Sequence, residues 1–115
     1  MPLIYKICPE SLWREAERTG RFSGAPVDHA DGFIHFSTAG QVAATASRHF
    51  AGQDDLLLIA IEADDLGEAL RYEPSRGGEL FPHLYAELPL SAVRAVHPIL
   101  LGADGDYVFP GEVRA

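Results

Sequence analysis

Asp55-Leu-Leu-Leu-Ile-Ala-Ile-Glu62 is the most hydrophobic run in the chain, six apolar residues closed at each end by an acid. Its length suits a strand, and an apolar run that does not alternate belongs to a strand buried on both faces. Such a strand sits at the centre of a sheet, so the rest of the chain must supply a layer on each side of it. Just before it, Thr38 followed three residues later by Gln41 matches a capping box, and Val42, Ala46, His49 and Phe50 form the apolar face of a helix that Gly52 ends. Earlier, Leu3 to Ile7 reads as a strand between Pro2 and Pro9, and a helix follows with Leu12, Trp13, Ala16 and Gly20 at helical spacing, Gly20 being its terminator. Residues 21–31, with Gly24, Pro26, Asp28 and Asp31, read as a loop leading into the β-prone Phe33 to Phe36.

After the central strand, Ala63 to Leu66 suits one helical turn, Ala69 to Glu73 a strand stopped by Pro74, and Ser75 to Gly78 a flexible loop. Phe81 to Tyr85 is extended, Leu88 to Ala92 a short turn or helix, Val93 to Leu101 a late strand, and Tyr107 to Phe109 a last short one. This order of elements makes an α+β protein with a mixed, mostly antiparallel sheet and two main helices.

The 115 residues suit a single domain spanning 1–115, and 47% hydrophobic with 10% aromatic residues can fill a core without disulfide or metal staples. Cys8 is the only cysteine, so no intrachain disulfide forms and a reducing compartment fits. Met1 to Lys6 shows no signal-peptide pattern, and no run approaches the roughly 20 apolar residues that cross a bilayer, so a cytoplasmic location is expected and no membrane partner. A formal charge of −8 repels a phosphate backbone, which disfavours nonspecific nucleic-acid binding.

Two segments concentrate reactive side chains, Gly32-Phe-Ile-His-Phe-Ser37 and Phe81-Pro-His-Leu-Tyr85. Residues two apart in a strand share a face, so Phe33, His35 and Ser37 project one way and Ile34 and Phe36 the other. Ser37, Thr38 and Gln41 lie where a strand end meets a helix start, whose free N–H groups favour a phosphate. The structural alternative makes His35 a satisfied half-buried histidine and Ser37 or Thr38 a helix cap. Phe81, His83 and Tyr85 likewise share a face and offer an imidazole and a phenol for hydrogen bonding or stacking, or else Pro82 fixes a bend and Tyr85 covers the core. Lys6, on the face shared by Ile4 and Cys8, is expected as a solvated edge charge, with contact to a ligand phosphate as the alternative. Glu73, just before a proline, is either a charged strand end or a carboxylate that binds a ribose hydroxyl or acts as general base.

Other features exclude more than they suggest. Asp28-His29-Ala30-Asp31 carries oxygen and nitrogen donors, but without a His-x-His, His-Glu-x-x-His or paired-cysteine pattern no metal is assigned. Arg14, Arg18 and Arg21 interleave with Glu10, Glu15 and Glu17 as on a solvated helix face. Cys8 lacks an adjacent histidine to make it a thiolate nucleophile. The absence of Gly-x-Gly-x-x-Gly, Gly-Lys-Ser/Thr and Gly-x-Ser-x-Gly removes the enzyme classes that depend on them.

Taken together, Leu3-Ile-Tyr-Lys-Ile7, Trp13 through Ala16 to Gly20, Asp31 to Ser37, Gln41 and Phe81 to Tyr85 resemble the bacterial family called domain of unknown function 952, across almost the whole chain. That family is grouped by fold with ADP-ribosyltransferases and RNA 2′-phosphotransferases. The resemblance implies an ADP-ribosyltransferase-like split sheet, mostly antiparallel, with a cleft that holds NAD in relatives. It also implies that the first strand should read Tyr-His, where this chain has Lys6. His35 and Ser37 correspond to the family's second motif strand and His83 and Tyr85 to its final motif. The transferases' catalytic glutamate has no secure counterpart, Glu73 being the candidate. Two functions follow as expectations. One is an NAD- or ADP-ribose-handling transferase or hydrolase with NAD as a substrate, His35, His83 and Glu73 in catalysis and Lys6, Ser37, Thr38, Gln41 and Tyr85 around the ligand. The other is a noncatalytic module that binds a small nucleotide-derived metabolite or a protein partner. A single cleft receiving Lys6, His35, Ser37, His83 and Tyr85 is the structural expectation.

Overall fold

The expected central strand lies between Leu3–Pro9 and Val93–Pro98, antiparallel to both, and every one of its residues is buried. The computed structural model describes residues 2–101 and 107–109. Through these the chain runs β1 (Leu3–Pro9), α1 (Glu10–Thr19), β2 (Arg21–Phe22), α2 (Pro26–Asp31), β3 (Ile34–His35), α3 (Val42–His49) and β4 (Leu56–Glu62). A 3₁₀ segment at Ala63–Ala69 leads to β5 (Leu70–Pro74), β6 (Leu80–Leu84), β7 (Leu88–Pro89), β8 (Val93–Pro98), β9 (Leu100–Leu101) and β10 (Tyr107–Val108), with short 3₁₀ turns at Arg76–Gly78 and Leu90–Ala92.

β4 feeds two apolar layers because successive strand residues point to opposite faces. Leu57, Ile59 and Ile61 join Ile4, Cys8, Trp13 and Ala16, the layer under α1. Leu56, Leu58 and Ala60 join Tyr5, Ile7, Val42 and Ala46, the layer under α3. α1 buries Trp13 and Ala16 at the expected spacing and ends at Gly20, whose φ of 89° is the left-handed conformation glycine adopts without a Cβ penalty. Its outer face carries the Arg14–Glu10, Arg14–Glu17 and Arg18–Glu15 pairs, a solvated face as its sequence suggested.

A second three-stranded sheet, β3-β6-β5, holds both reactive segments, and β2-β7 and β9-β10 form two-stranded pairs. The sheets meet where Tyr5 N–H donates to the Ser37 carbonyl at 2.8 Å and Ser37 N–H to the Tyr5 carbonyl at 2.9 Å. Among the described residues every strand pairing is antiparallel, so the expected mixture reduces to an antiparallel one. The long excursion from β1 to β4 returns the chain from the opposite end, which makes those strands antiparallel despite their distance in sequence.

Three expectations are corrected. Residues 21–31 are not one loop but contain β2 and α2. Pro26 at the first turn, an Asp28 carboxylate that accepts the Ala25 N–H at 2.7 Å and a left-handed Gly32 are enough to close six residues into a helix. The strand Phe33 to Phe36 is regular only over Ile34–His35. The late strand breaks after Pro98, where Ile99 turns into the α3 layer and donates its N–H to the Leu56 carbonyl. Among the described residues no helix is long and apolar enough to cross a membrane.

The double burial of β4 has a measurable consequence. Ile59→Ala, at a fully buried position, should cost about 2–5 kcal/mol and lower the melting temperature by at least about 6 °C. Leu80→Ala, at a side chain 53% exposed, should stay within about 0.5 kcal/mol of wild type by the same thermal denaturation.

Candidate functional site

The site is built on a buried charge. Lys6 shares a face with Ile4 and Cys8, which puts its ammonium in an apolar layer, and the solvated edge charge expected from sequence is corrected to a residue only 5% exposed. Its partner comes from α2: Lys6 Nζ lies 2.9 Å from Asp28 Oδ2 and donates to Asp28 Oδ1 at 3.1 Å and to the His35 carbonyl at 2.9 Å. Asp28 also accepts the backbone N–H groups of Ala25 and His35, and its Oδ1 is 2.6 Å from His35 Nδ1. Burial alone would push the Asp28 carboxyl up. The hydrogen bond from His35, the Lys6 charge and the Ala25 N–H together overcome burial and hold it well below the usual carboxylate range. Burial pulls the Lys6 ammonium below the usual lysine range, with Asp28 pulling it back up. The neighbouring Cys8 thiol is pushed by burial to about 11, the opposite of what a nucleophile needs. Gly24 permits this packing, since its φ is +123° and a Cβ there would lie 2.8 Å from the Asp28 Cβ.

Above this floor β3 and β6 pair in register, His35 opposite His83, which places the two imidazoles on one side of the second sheet. Phe33 sits among them, stacked on His83 with centroids 4.1 Å apart, and within 4.6 Å of the His35 ring and 5.2 Å of the Tyr85 ring. The two histidine rings meet edge-on at 5.6 Å. Both nitrogens of His35 face carboxylates, Nδ1 on Asp28 and Nε2 at 2.8 Å from Asp31 Oδ2, so both are satisfied only as donors.

β5 completes the group. Glu73 lies one third exposed, and its Oε1 receives both the His83 Nδ1 contact at 2.9 Å and the Tyr85 hydroxyl at 2.6 Å. Hydrogen bonds from Tyr85 and then His83 hold the Glu73 carboxyl below its ordinary value. The same bond raises the Tyr85 phenol, since losing its proton would break the bond and set a phenolate against the carboxylate. A depression of about 290 Å³ opens beside Phe33 and Tyr85, bounded also by Gly32, Asp28 and Glu87.

The structure thus brings His35, His83, Glu73 and Tyr85 together, with Phe33, Asp28 and Asp31. The other expected site residues lie apart from the single cleft expected for them. Lys6 is beneath the floor, and Ser37 turns its hydroxyl to Thr45 at 3.0 Å. Gln41 accepts the Thr38 N–H at 3.1 Å and donates to the Leu80 carbonyl at 2.8 Å, but α3 begins only at Val42 with Gln41 as its N-cap and no side-chain cap, so the capping box expected at Thr38 is corrected to a turn before the helix. The sequence reading missed the central part played by Asp28. Its signal was a proline two residues before an aspartate and a glycine four residues after it, the outline of a capped short helix. Among the described residues no grouping of three or more His, Cys, Asp or Glu side chains is arranged to hold a metal ion.

Residues 7–96 match the family described as Protein of unknown function (DUF952). The chain belongs to this family. Within it, the crystal structure of protein CC0527 from Caulobacter crescentus is 47% identical, covers 96% of this chain and 97% of its own, and superposes with a TM-score of 0.92. The solution NMR structure of CC0527 is 50% identical over 92% of this chain and 91% of its own, with a TM-score of 0.83. No curated protein matches the chain significantly.

For this DUF952 protein the buried pair sets an acid limit. Because the folded Asp28 value lies below the unfolded one, its contribution is complete above about pH 4 and is lost as pH falls through the lowered folded value. Asp28→Asn leaves Lys6 buried without a counter-charge and should cost on the order of 3–5 kcal/mol at pH 7. Urea unfolding from pH 7 to 2 should show wild-type stability falling below about pH 4 and a flatter profile for the variant.

Proposed function

We propose that this DUF952 protein is an NAD- or ADP-ribose-handling transferase or hydrolase on an ADP-ribosyltransferase-like split sheet, acting in the cytoplasm on a small nucleotide-derived substrate. Two three-stranded antiparallel sheets joined through Tyr5 and Ser37 support the fold part of this reading. A lone free cysteine supports the location.

One observation carries the chemistry: an ionised, partly exposed Glu73 pinned through a single oxygen by two donors, between aromatic walls. A fixed carboxylate of this kind offers its other oxygen to a ribose hydroxyl, or to the positive charge that develops on a sugar ring as its bond to a leaving base weakens. Its lowered value makes it an electrostatic group at neutral pH and not a proton donor. Proton transfer falls to the histidines. With Nδ1–H directed at Glu73, a neutral His83 keeps Nε2 as the basic nitrogen. Phe33 and Tyr85 both border the depression and offer it aromatic surface for a flat ring. The 290 Å³ depression, just under the about 300 to 1,000 Å³ of small-molecule sites, includes Phe33 and Tyr85 but not Glu73, so it suits the flat ring alone and leaves the ribose and the rest of a dinucleotide on the surface beside it. In this reading Ser37, Thr38 and Gln41 shape the site through α3.

A noncatalytic binding module is the second reading, favoured by the burial of Lys6 at the position where the family resemblance implies a histidine.

Amide NMR titration with NAD and ADP-ribose, followed by a product assay, separates the two. We expect shifts at Phe33, Glu73 and Tyr85 that exceed those along Val93–Pro98. Glu73→Gln should slow product formation by about a hundredfold to a thousandfold while leaving the ligand Kd within a few-fold. Binding without turnover favours the module, and no selective shift at millimolar ligand overturns the transferase or hydrolase reading.

A further inference from the structure

We infer that Arg71 takes a phosphate of the ligand, so that this site selects a ribose bearing a 5-phosphate over the bare nucleoside. The inference rests on the Glu73 reading and names its substrate class. Most cations here are already spent on carboxylates within 4 Å: Lys6 on Asp28, Arg14 on Glu10 and Glu17, Arg18 on Glu15, Arg21 on Glu87 and Arg94 on Asp65. Among the described residues Arg71, like Arg48 on α3, has no such pair. Its guanidinium instead lies over the Tyr85 ring, with Cζ 5.2 Å from the centroid. In a chain of charge −8, a guanidinium held by an aromatic face is an exception that sits at the candidate site.

Register puts it there. Arg71 stands opposite His83 and two residues before Glu73 on the same face of β5, about 7 Å along the strand. That spacing suits a ribose whose ring hydroxyls meet Glu73 while its 5-phosphate reaches Arg71. The charge of Arg71 reaches both neighbours, drawing the Glu73 carboxyl and the Tyr85 phenol downward. The Glu73 oxygen that accepts two hydrogen bonds is already engaged, which limits its repulsion of an anion two residues away. Stacking holds the planar fork with few orientations to lose, and a fork takes two phosphate oxygens at once. Lys6, the other basic residue considered for a phosphate, is withdrawn into its pair with Asp28.

The test titrates the full-length protein with nicotinamide mononucleotide and nicotinamide riboside, which differ only in the 5-phosphate, reading the Phe33 and Tyr85 resonances. Wild type should prefer the mononucleotide by about tenfold to a hundredfold, a preference that added salt weakens. Arg71→Ala should melt with the wild type, erase the preference and leave riboside affinity within about twofold, and Arg71→Lys should restore part of it. A preference that persists in Arg71→Ala, or none in wild type, overturns the Arg71 inference while the ring-and-ribose reading stands. Failure of both ligands to shift either resonance overturns that reading and the inference with it.

Discussion

The ion pair between Lys6 and Asp28 is the interaction on which the rest depends. Taking an ammonium out of water costs about several kcal/mol even after relaxation, and only close, fully hydrogen-bonded geometry offsets it. Here Asp28 does more than neutralise a charge. The same two oxygens receive the first turn of α2 through Ala25 and the backbone and ring of His35, while Lys6 also binds the His35 carbonyl. One pair therefore links the first sheet, a short helix and the strand that presents an imidazole. A hydrophobic pair of equal volume would pack there without fixing the direction of His35, so the orientation of the site is the return on that desolvation.

Much of the scaffold was legible because it depends on local pattern. An unalternating apolar run bounded by acids identified β4, and 3.6-residue spacing with a closing glycine identified α1. Period two placed His35 and His83 on their strands' common side before any pairing was known. Where pattern failed, stability came from distant partners. Six residues are too few to show helical periodicity, and α2 closes because Asp28 serves as its cap and as the counter-ion of a residue 22 positions earlier. Lys6 looked like a solvated charge because nothing within its own strand reveals that partner.

The site was legible in parts and not as a whole. Both motif segments contribute to it, and Glu73, uncertain from sequence, meets His83 and Tyr85 because β5 and β6 pair with Glu73 opposite Phe81. Ser37 and Gln41 carried the right chemistry for a phosphate, but Ser37 is engaged with Thr45, and Gln41 with the Thr38 N–H and the Leu80 carbonyl. The resemblance to DUF952 holds through the matched family and the CC0527 structures, which describe a shape and leave its chemistry to be argued from side chains.

The antiparallel pairing of β1 with β4 also has a meaning in time. Pro9 pairs with Leu56 and Leu3 with Glu62, so the first strand leaves the ribosome about 50 residues before its neighbour. At about 5–20 residues per second, β1 waits roughly 3–10 s for its partner during translation. Over that interval the Lys6 ammonium, buried in the finished protein, stays in water and keeps a charge on an otherwise apolar segment. A residue that makes the folded interior harder to build also guards the nascent chain against pairing with a wrong edge.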